Sequence, residues 1–219
     1  MNRKMVSPSV LSADFGQLDR DIMMLNASHC DRIHLDVMDG VFVPNISFGF
    51  PVMQAIARKT EKPLDVHLMI EHPEKFIPEV KALGTYIMSV HQEACPHLHR
   101  VVQQIKDAGM KAGVVLNPAT SLTTVEEILG EADMILLMSV NPGFGGQRFI
   151  PSVMDKIRRL KQMIISSGST ALIQVDGGVG FQNAATLYEA GADVLVAGSA
   201  VFQAPSPLEA IDRLKGLNP

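Results

Sequence analysis

The run Ile33-His34-Leu35-Asp36-Val37-Met38 alternates apolar with functional side chains at a period of two. Successive side chains of a strand point to opposite faces, so His34, Asp36 and Met38 share one face and Ile33, Leu35 and Val37 the other. Leu64-Asp65-Val66-His67-Leu68-Met69 repeats the device, with Asp65, His67 and Met69 together. The aliphatic face of each run suits packing on helices, and the polar face suits the inside of a barrel.

Similar short runs recur on either side of these two. Met5–Leu11, Arg32–Met38, Leu64–Ile70, Tyr86–Val90, Lys111–Leu116, Met134–Val140, Ala171–Asp176 and Asp193–Ala197 make eight, and Pro8 is the one proline among them. Short aliphatic runs of this kind read as buried parallel strands. Helical patterns lie between them, over Gln17–Asn26, Pro73–Leu83, His97–Ala108, Val153–Ile165, Gln182–Ala190 and Pro207–Leu214. Gly84, Gly109 and Gly191 follow three of these, as glycine does at helix ends. Eight strands alternating with helices favour a closed (β/α)8 barrel of the TIM type over an open doubly wound sheet. With no linker or composition shift in its 219 residues, the chain is expected to be one barrel domain over 1–219.

Composition narrows the function classes. Apolar residues make up 47% and charged residues 19%, the balance of a packed globular domain. A net charge of −4 with scattered Lys and Arg offers no footprint for nucleic acid. No apolar run reaches the roughly 18 residues of a membrane span, and Met1–Val10 lacks the apolar core of a signal peptide. Two cysteines, Cys30 and Cys95, make no disulfide framework, so a cytoplasmic setting is expected.

The chemistry concentrates at strand ends. Gln174-Val175-Asp176-Gly177-Gly178 closes the seventh run and puts Asp176 at the C-terminal end of a barrel strand, where barrel active sites form. A single His or Asp in a strand is more often a hydrogen-bonded structural residue than a ligand. Two histidines and two carboxylates on one inner surface are different, because burying them without a compensating ion is costly. His34, Asp36, His67 and Asp176 therefore read as ligands for one divalent metal, with Zn²⁺, Fe²⁺, Co²⁺ and Mn²⁺ all suited to imidazole and carboxylate. Asp65 and Asp39 read as structural, and His29, His72, His91, His97 and His99 show no partner pattern.

Glycines mark a second function. Asn141-Pro142-Gly143-Phe144-Gly145-Gly146-Gln147 follows the sixth run, Gly177-Gly178 the seventh and Gly198-Ser199 the eighth. One such group is an ordinary turn signal. Three at adjacent strand ends form backbone amide nests suited to phosphate. Arg148 reads as a solvated surface residue.

Together these segments resemble the ribulose-phosphate 3-epimerase family. Ser7-Pro8-Ser9, Val43-Pro44-Asn45, Leu116-Asn117-Pro118-Ala119-Thr120 and Ala197-Gly198-Ser199-Ala200 carry the resemblance along with the strand motifs above, in order over nearly the whole chain. The resemblance implies interconversion of D-ribulose 5-phosphate and D-xylulose 5-phosphate with one divalent metal. It implies His34, Asp36, His67 and Asp176 as ligands, and Asp36 and Asp176 as the acid–base pair. It puts Ser9 and His67 at the substrate, and Gly143, Phe144, Gly145, Gly146, Gly177, Gly178, Gly198 and Ser199 around the phosphate. Met38, Met69 and Met138 match the family's sulfur-lined cavity. Gly180 departs from the pattern, where many members carry Asn. A homo-oligomer acting on a small sugar phosphate is expected, with neither nucleic acid nor membrane as partner.

Three rival readings remain at this point. An epimerase of the same family acting on D-allulose 6-phosphate differs by one carbon of substrate. Related phosphosugar decarboxylases resemble an Asp-X-Lys strand pattern, whereas Val37 and Met38 follow Asp36. A non-catalytic phosphosugar-binding barrel needs no acid–base pair.

Overall fold

The computed structural model describes residues 4–217. Eight parallel strands form one sheet, β1 (Met5–Pro8), β2 (Ile33–Met38), β3 (Leu64–Met69), β4 (Ile87–His91), β5 (Lys111–Leu116), β6 (Met134–Met138), β7 (Leu172–Asp176) and β8 (Val194–Ala197). Their order is β1-β8-β7-β6-β5-β4-β3-β2, so each strand lies beside its sequence neighbour and β1 joins β8. The circle closes between β1 and β2 through a parallel bridge, Ser9 to His34. This is the expected TIM-type barrel.

The helices are α1 (Leu18–Ala27), α2 (Phe50–Ala57), α3 (Ile77–Ala82), α4 (Leu98–Asp107), α5 (Val153–Ser167), α6 (Ala184–Ala190), α7 (Ser199–Phe202) and α8 (Pro207–Lys215). Two elements escape the sequence reading. One is α2, which follows a long loop and begins with Pro51 in its first turn. The other is a 3-10 segment over Leu122–Ile128, which fills the place of the helix between β5 and β6. Its side chains follow a tighter period than 3.6, so no α-helical stripe shows. The helix expected over Pro73–Leu83 also divides, with a 3-10 turn at Pro73–Phe76 ahead of α3. Pro78 near the start of α3 lacks an N–H, which suits a first helical turn.

Strand alternation sorts the interior as expected. Ile33, Leu35, Leu64, Val66 and Leu68 join the large aliphatic cluster between sheet and helices. The opposite faces fill the barrel. There Ser7, His34, Asp65, His67, Ser89 and Gln174 are all fully buried. Most members of this polar layer bond one another, as buried polar groups generally do. Asp65 Oδ2 is the hub: it accepts from the Ser7 hydroxyl at 3.2 Å and the Gln174 amide at 2.5 Å, and lies 2.9 Å from His34 Nδ1. Asp65 is thus structural, as its position one step deeper in β3 suggested.

Candidate active site

Register brings the functional side chains together. Across β2 and β3, His34 stands opposite Asp65, Asp36 opposite His67, and Met38 opposite Met69. Asp176 ends β7 across the barrel. One ligand atom from each of His34, Asp36, His67 and Asp176 lies within 4.8 Å of the others. His34 Nε2 is 3.2 Å from Asp36 Oδ1 and 3.8 Å from Asp176 Oδ2. His67 Nδ1 is 3.0 Å from Asp36 Oδ1 and 3.6 Å from Asp176 Oδ2. The four residues expected as ligands therefore converge on one point.

The electrostatics of the cluster are uneven. Burial works to raise the Asp36 carboxyl, but the adjacent His34 and His67 rings outweigh it and hold Asp36 far below the usual carboxylate range. Burial and then the Asp36 charge push Asp176 upward. His34 is driven well above the ordinary imidazole value, because Asp65 and Asp36 overcome the burial that would lower it. Ser9, in the turn after β1, donates to Asp36 Oδ2 at 2.5 Å.

The donor set fits a divalent cation. His34 Nε2 is fully buried and has no hydrogen-bond partner among the described residues, although two carboxylates flank it. A buried nitrogen without a partner is costly, and a ligand bound at that point would satisfy it. Two imidazoles and two carboxylates make a donor set for a first-row ion.

Above the cluster opens a cavity of about 300 Å³. Asp36, Asp176 and Ser9 reach it, with Met38, Met69 and Met138 beside them. The glycine segments line it as well: Gly143, Phe144, Gly145 and Gly146 after β6, Gly177 and Gly178 after β7, and Gly198 and Ser199 after β8. His34 and His67 do not line it and are fully buried. His67, expected at both metal and substrate, thus stands behind the carboxylates. Arg148 is not on the wall either.

The β6 loop is held from within and from across the mouth. The Gln147 amide donates to the carbonyls of Asn141 and Phe144, and Asn45 donates to the Gly143 carbonyl at 2.8 Å. Two glycines are also demanded by packing. Gly178 has φ +63°, and a Cβ there would lie 2.4 Å from the Phe149 nitrogen. Gly177 has φ +113°, and its Cβ would lie 2.4 Å from the Val140 side chain. The local turn at Gly180 is intact, for its N–H donates to Asn183 Oδ1 at 2.9 Å.

The Ribulose-phosphate 3 epimerase family matches residues 5–202. The chain belongs to that family. Ribulose-phosphate 3-epimerase of Bacillus subtilis is 51% identical over 212 residues, covering 96% of this chain and 98% of that protein. The chloroplastic ribulose-5-phosphate-3-epimerase of Arabidopsis thaliana is 52% identical, covering 96% of this chain and 75% of that protein. As a member of the epimerase family, the chain is an isomerase of the class that serves the pentose phosphate pathway. Among solved structures, a mutant tryptophan synthase α-subunit from Pyrococcus furiosus superposes with a TM-score of 0.74 at 16% identity, covering 99% of each chain. A 3-hexulose-6-phosphate synthase superposes at 0.68 and 17% identity, again over 99% of each chain. At such identities these two speak for the barrel alone. No helix among the described residues is long and apolar enough to cross a membrane.

Behind the epimerase site lie residues the sequence reading missed. His91, at the end of β4, puts its Nε2 2.9 Å from His67 Nε2. Its Nδ1 lies 3.2 Å from Glu93 Oε2. Burial lowers His91 to about 4. Glu93 falls to about 2, because its hydrogen bonds with His91, Thr120 and the Asn117 N–H overcome burial. In sequence, His91 directly follows an apolar run. The available signal was the pair His91 and Glu93, two residues apart beside a strand end. Of the other histidines, His29 and His72 lie on the surface, paired with Asp212 and Glu74. Asp39 accepts from the N–H groups of Val41, Phe42 and Glu71, and so holds its loop.

Proposed function

We propose that this epimerase interconverts D-ribulose 5-phosphate and D-xylulose 5-phosphate by moving a proton at C3. The convergence of Asp36 and Asp176 on one cavity, over a buried histidine pair, carries the reading. C3 lies next to the ketone, so loss of its proton gives an enediolate, and return of a proton on the other face inverts the centre. Asp36 and Asp176 come from β2 and β7, far apart around the barrel, and serve as the two acid–base groups. Ser9 orients Asp36 through the hydroxyl it donates. The loops at Gly143–Gly146, Gly177–Gly178 and Gly198–Ser199 hold the phosphate with backbone N–H groups. Met38, Met69 and Met138 keep the reacting end dry, which strengthens every charge interaction there.

His34, Asp36, His67 and Asp176 are assigned as ligands of one Zn²⁺, Fe²⁺, Co²⁺ or Mn²⁺. When bound, that ion supplies the electrophilic charge that steadies the enediolate oxygens. The carboxylates alone do not suffice, since general acid–base catalysis contributes about 10²–10⁴-fold and enzymes reach about 10⁶-fold or more. The whole chain is taken as one domain, working as a cytoplasmic homo-oligomer. The free, buried thiols of Cys30 and Cys95 fit a reducing compartment.

Asp176→Asn is the decisive variant. It is expected to stop epimerisation while exchange of the C3 proton with heavy water persists from one epimer. Full turnover by this variant rules out the two-base scheme. Paired kinetics with D-allulose 6-phosphate test the sugar length, and equal kcat/KM on both substrates overturns that assignment. Stripping with a strong chelator should remove activity and adding one of the four ions should restore it, whereas full activity without metal contradicts the ligand assignment.

A further inference from the structure

We propose that Glu93 and His91 are positioning residues that hold His67 through a one-way chain of hydrogen bonds, with His67 Nδ1 turned toward Asp36 and Asp176. The inference rests on the metal-site reading above and adds two residues to it.

The direction of the chain follows from what each atom can do. A backbone N–H only donates, so the Asn117 N–H, 2.9 Å from Glu93 Oε1, makes that carboxylate an acceptor. The Thr120 hydroxyl donates to the same oxygen. Glu93 Oε2 then accepts from His91 Nδ1, which must carry the hydrogen. A neutral imidazole with its hydrogen on Nδ1 presents a lone pair at Nε2. His67 Nε2, 2.9 Å away, must therefore donate. The remaining nitrogen, His67 Nδ1, lies 3.0 Å from Asp36 Oδ1 and is the atom of this ring turned to the carboxylate pair, so it is the one a metal would use once its hydrogen is displaced.

The rings are also fixed in space. His67 and His91 stack with centroids 5.0 Å apart at 24°, and Phe42 packs on His91 with centroids 4.6 Å apart. His34 shows the same logic in shorter form. Its Nδ1 is tied to Asp65 and its Nε2 turns to the site. Each ring thus has one nitrogen anchored on a carboxylate, directly on buried Asp65 for His34 and through a second ring on partly exposed Glu93 for His67. Partners of this kind set which nitrogen of a ligating histidine is available and how the ring is aimed.

The test uses the full-length chain, stripped of metal and titrated with Zn²⁺ against a chromogenic chelator. Glu93→Ala and His91→Phe are expected to weaken zinc binding by about 10–100-fold. Long-range ¹⁵N–¹H spectra of the zinc-loaded parent should show hydrogen on His91 Nδ1 and on His67 Nε2. Zinc affinity within about threefold of the parent in both variants overturns the proposal, as does a parent His91 with its hydrogen on Nε2. If a variant does not fold, the parent spectrum alone decides. A parent whose zinc binding depends on His34 and His67 but not on Glu93 keeps the metal site and loses this inference. A parent that binds no zinc loses both.

Discussion

Replacing Glu93 with Gln should make the chain measurably less tolerant of neutral pH relative to its parent than of acid. Glu93 sits at about 2 in the folded chain, against an ordinary 4.5. Its side chain is three-quarters buried, and three donors hold it. A carboxylate lowered on folding contributes stability that is complete above the unfolded value and fades as pH falls toward the folded value. At about 1.36 kcal/mol per unit the shift corresponds to at most about 3 kcal/mol, and solvent screening at this partly exposed carboxylate reduces the contribution to about 1–2 kcal/mol at pH 7. By pH 3 the unfolded carboxylate is protonated while the folded one is mostly ionised, and less than half of that contribution, roughly 0.5 kcal/mol, remains. Glu93→Gln keeps the shape and removes the charge. Urea unfolding at pH 7 and pH 3 should therefore show a parent-to-variant gap that shrinks by about 1 kcal/mol on acidification. A gap independent of pH refutes the argument, because Glu93 would then titrate alike in both states.

Two further predictions follow from single residues. Gly178→Ala forces a left-handed residue worth about 1 kcal/mol of strain and drives a Cβ against the Phe149 backbone. It should lower the urea midpoint and raise KM for the sugar phosphate, and a variant matching the parent in both shows that the loop is not part of the phosphate grip. Lys156, whose ammonium donates to the carbonyls of Asn117 and Pro118, is pushed down to about 8 by burial. The unfolded chain keeps that proton at higher pH, so the parent should gain stability relative to Lys156→Met between pH 8 and about 10. A difference that stays flat across that range, measured by urea unfolding, removes the premise.

The fold and the four converging residues were legible because alternation in a strand is a local signal. His34 and Asp36 belong to one face of β2, and His67 to the matching face of β3, whatever the rest of the chain does. Asp176 was legible because Asp-Gly-Gly at a strand end marks the barrel's working face. Strand β4 gave no such cue, since the run read from the sequence, Tyr86–Val90, stops one residue short of His91, which ends the strand. Nothing local shows that His67 stands beside Ser89, or that the next residue inward-facing on β4 reaches the far nitrogen of the same ring. That relation exists only once register is set. The missed α2 and the 3-10 segment after β5 have a different cause, being short and lacking a full α-helical stripe.

The same register explains why the two imidazoles are supported differently. His34 lies directly opposite Asp65, so its Nδ1 meets a carboxylate across one ladder step. His67 lies opposite Ser89, which offers a short hydroxyl that makes no hydrogen bond among the described residues. A carboxylate for His67 must come from farther along, and Glu93, beyond the end of β4, is too distant to touch the ring itself. His91 spans the gap. A polar side chain placed there without both neighbours would be a buried donor or acceptor left unmet, at about 1–3 kcal/mol. Its position between His67 and Glu93 is therefore hard to explain as packing alone, and it makes the loop after β4 part of the epimerase site although it never reaches the cavity.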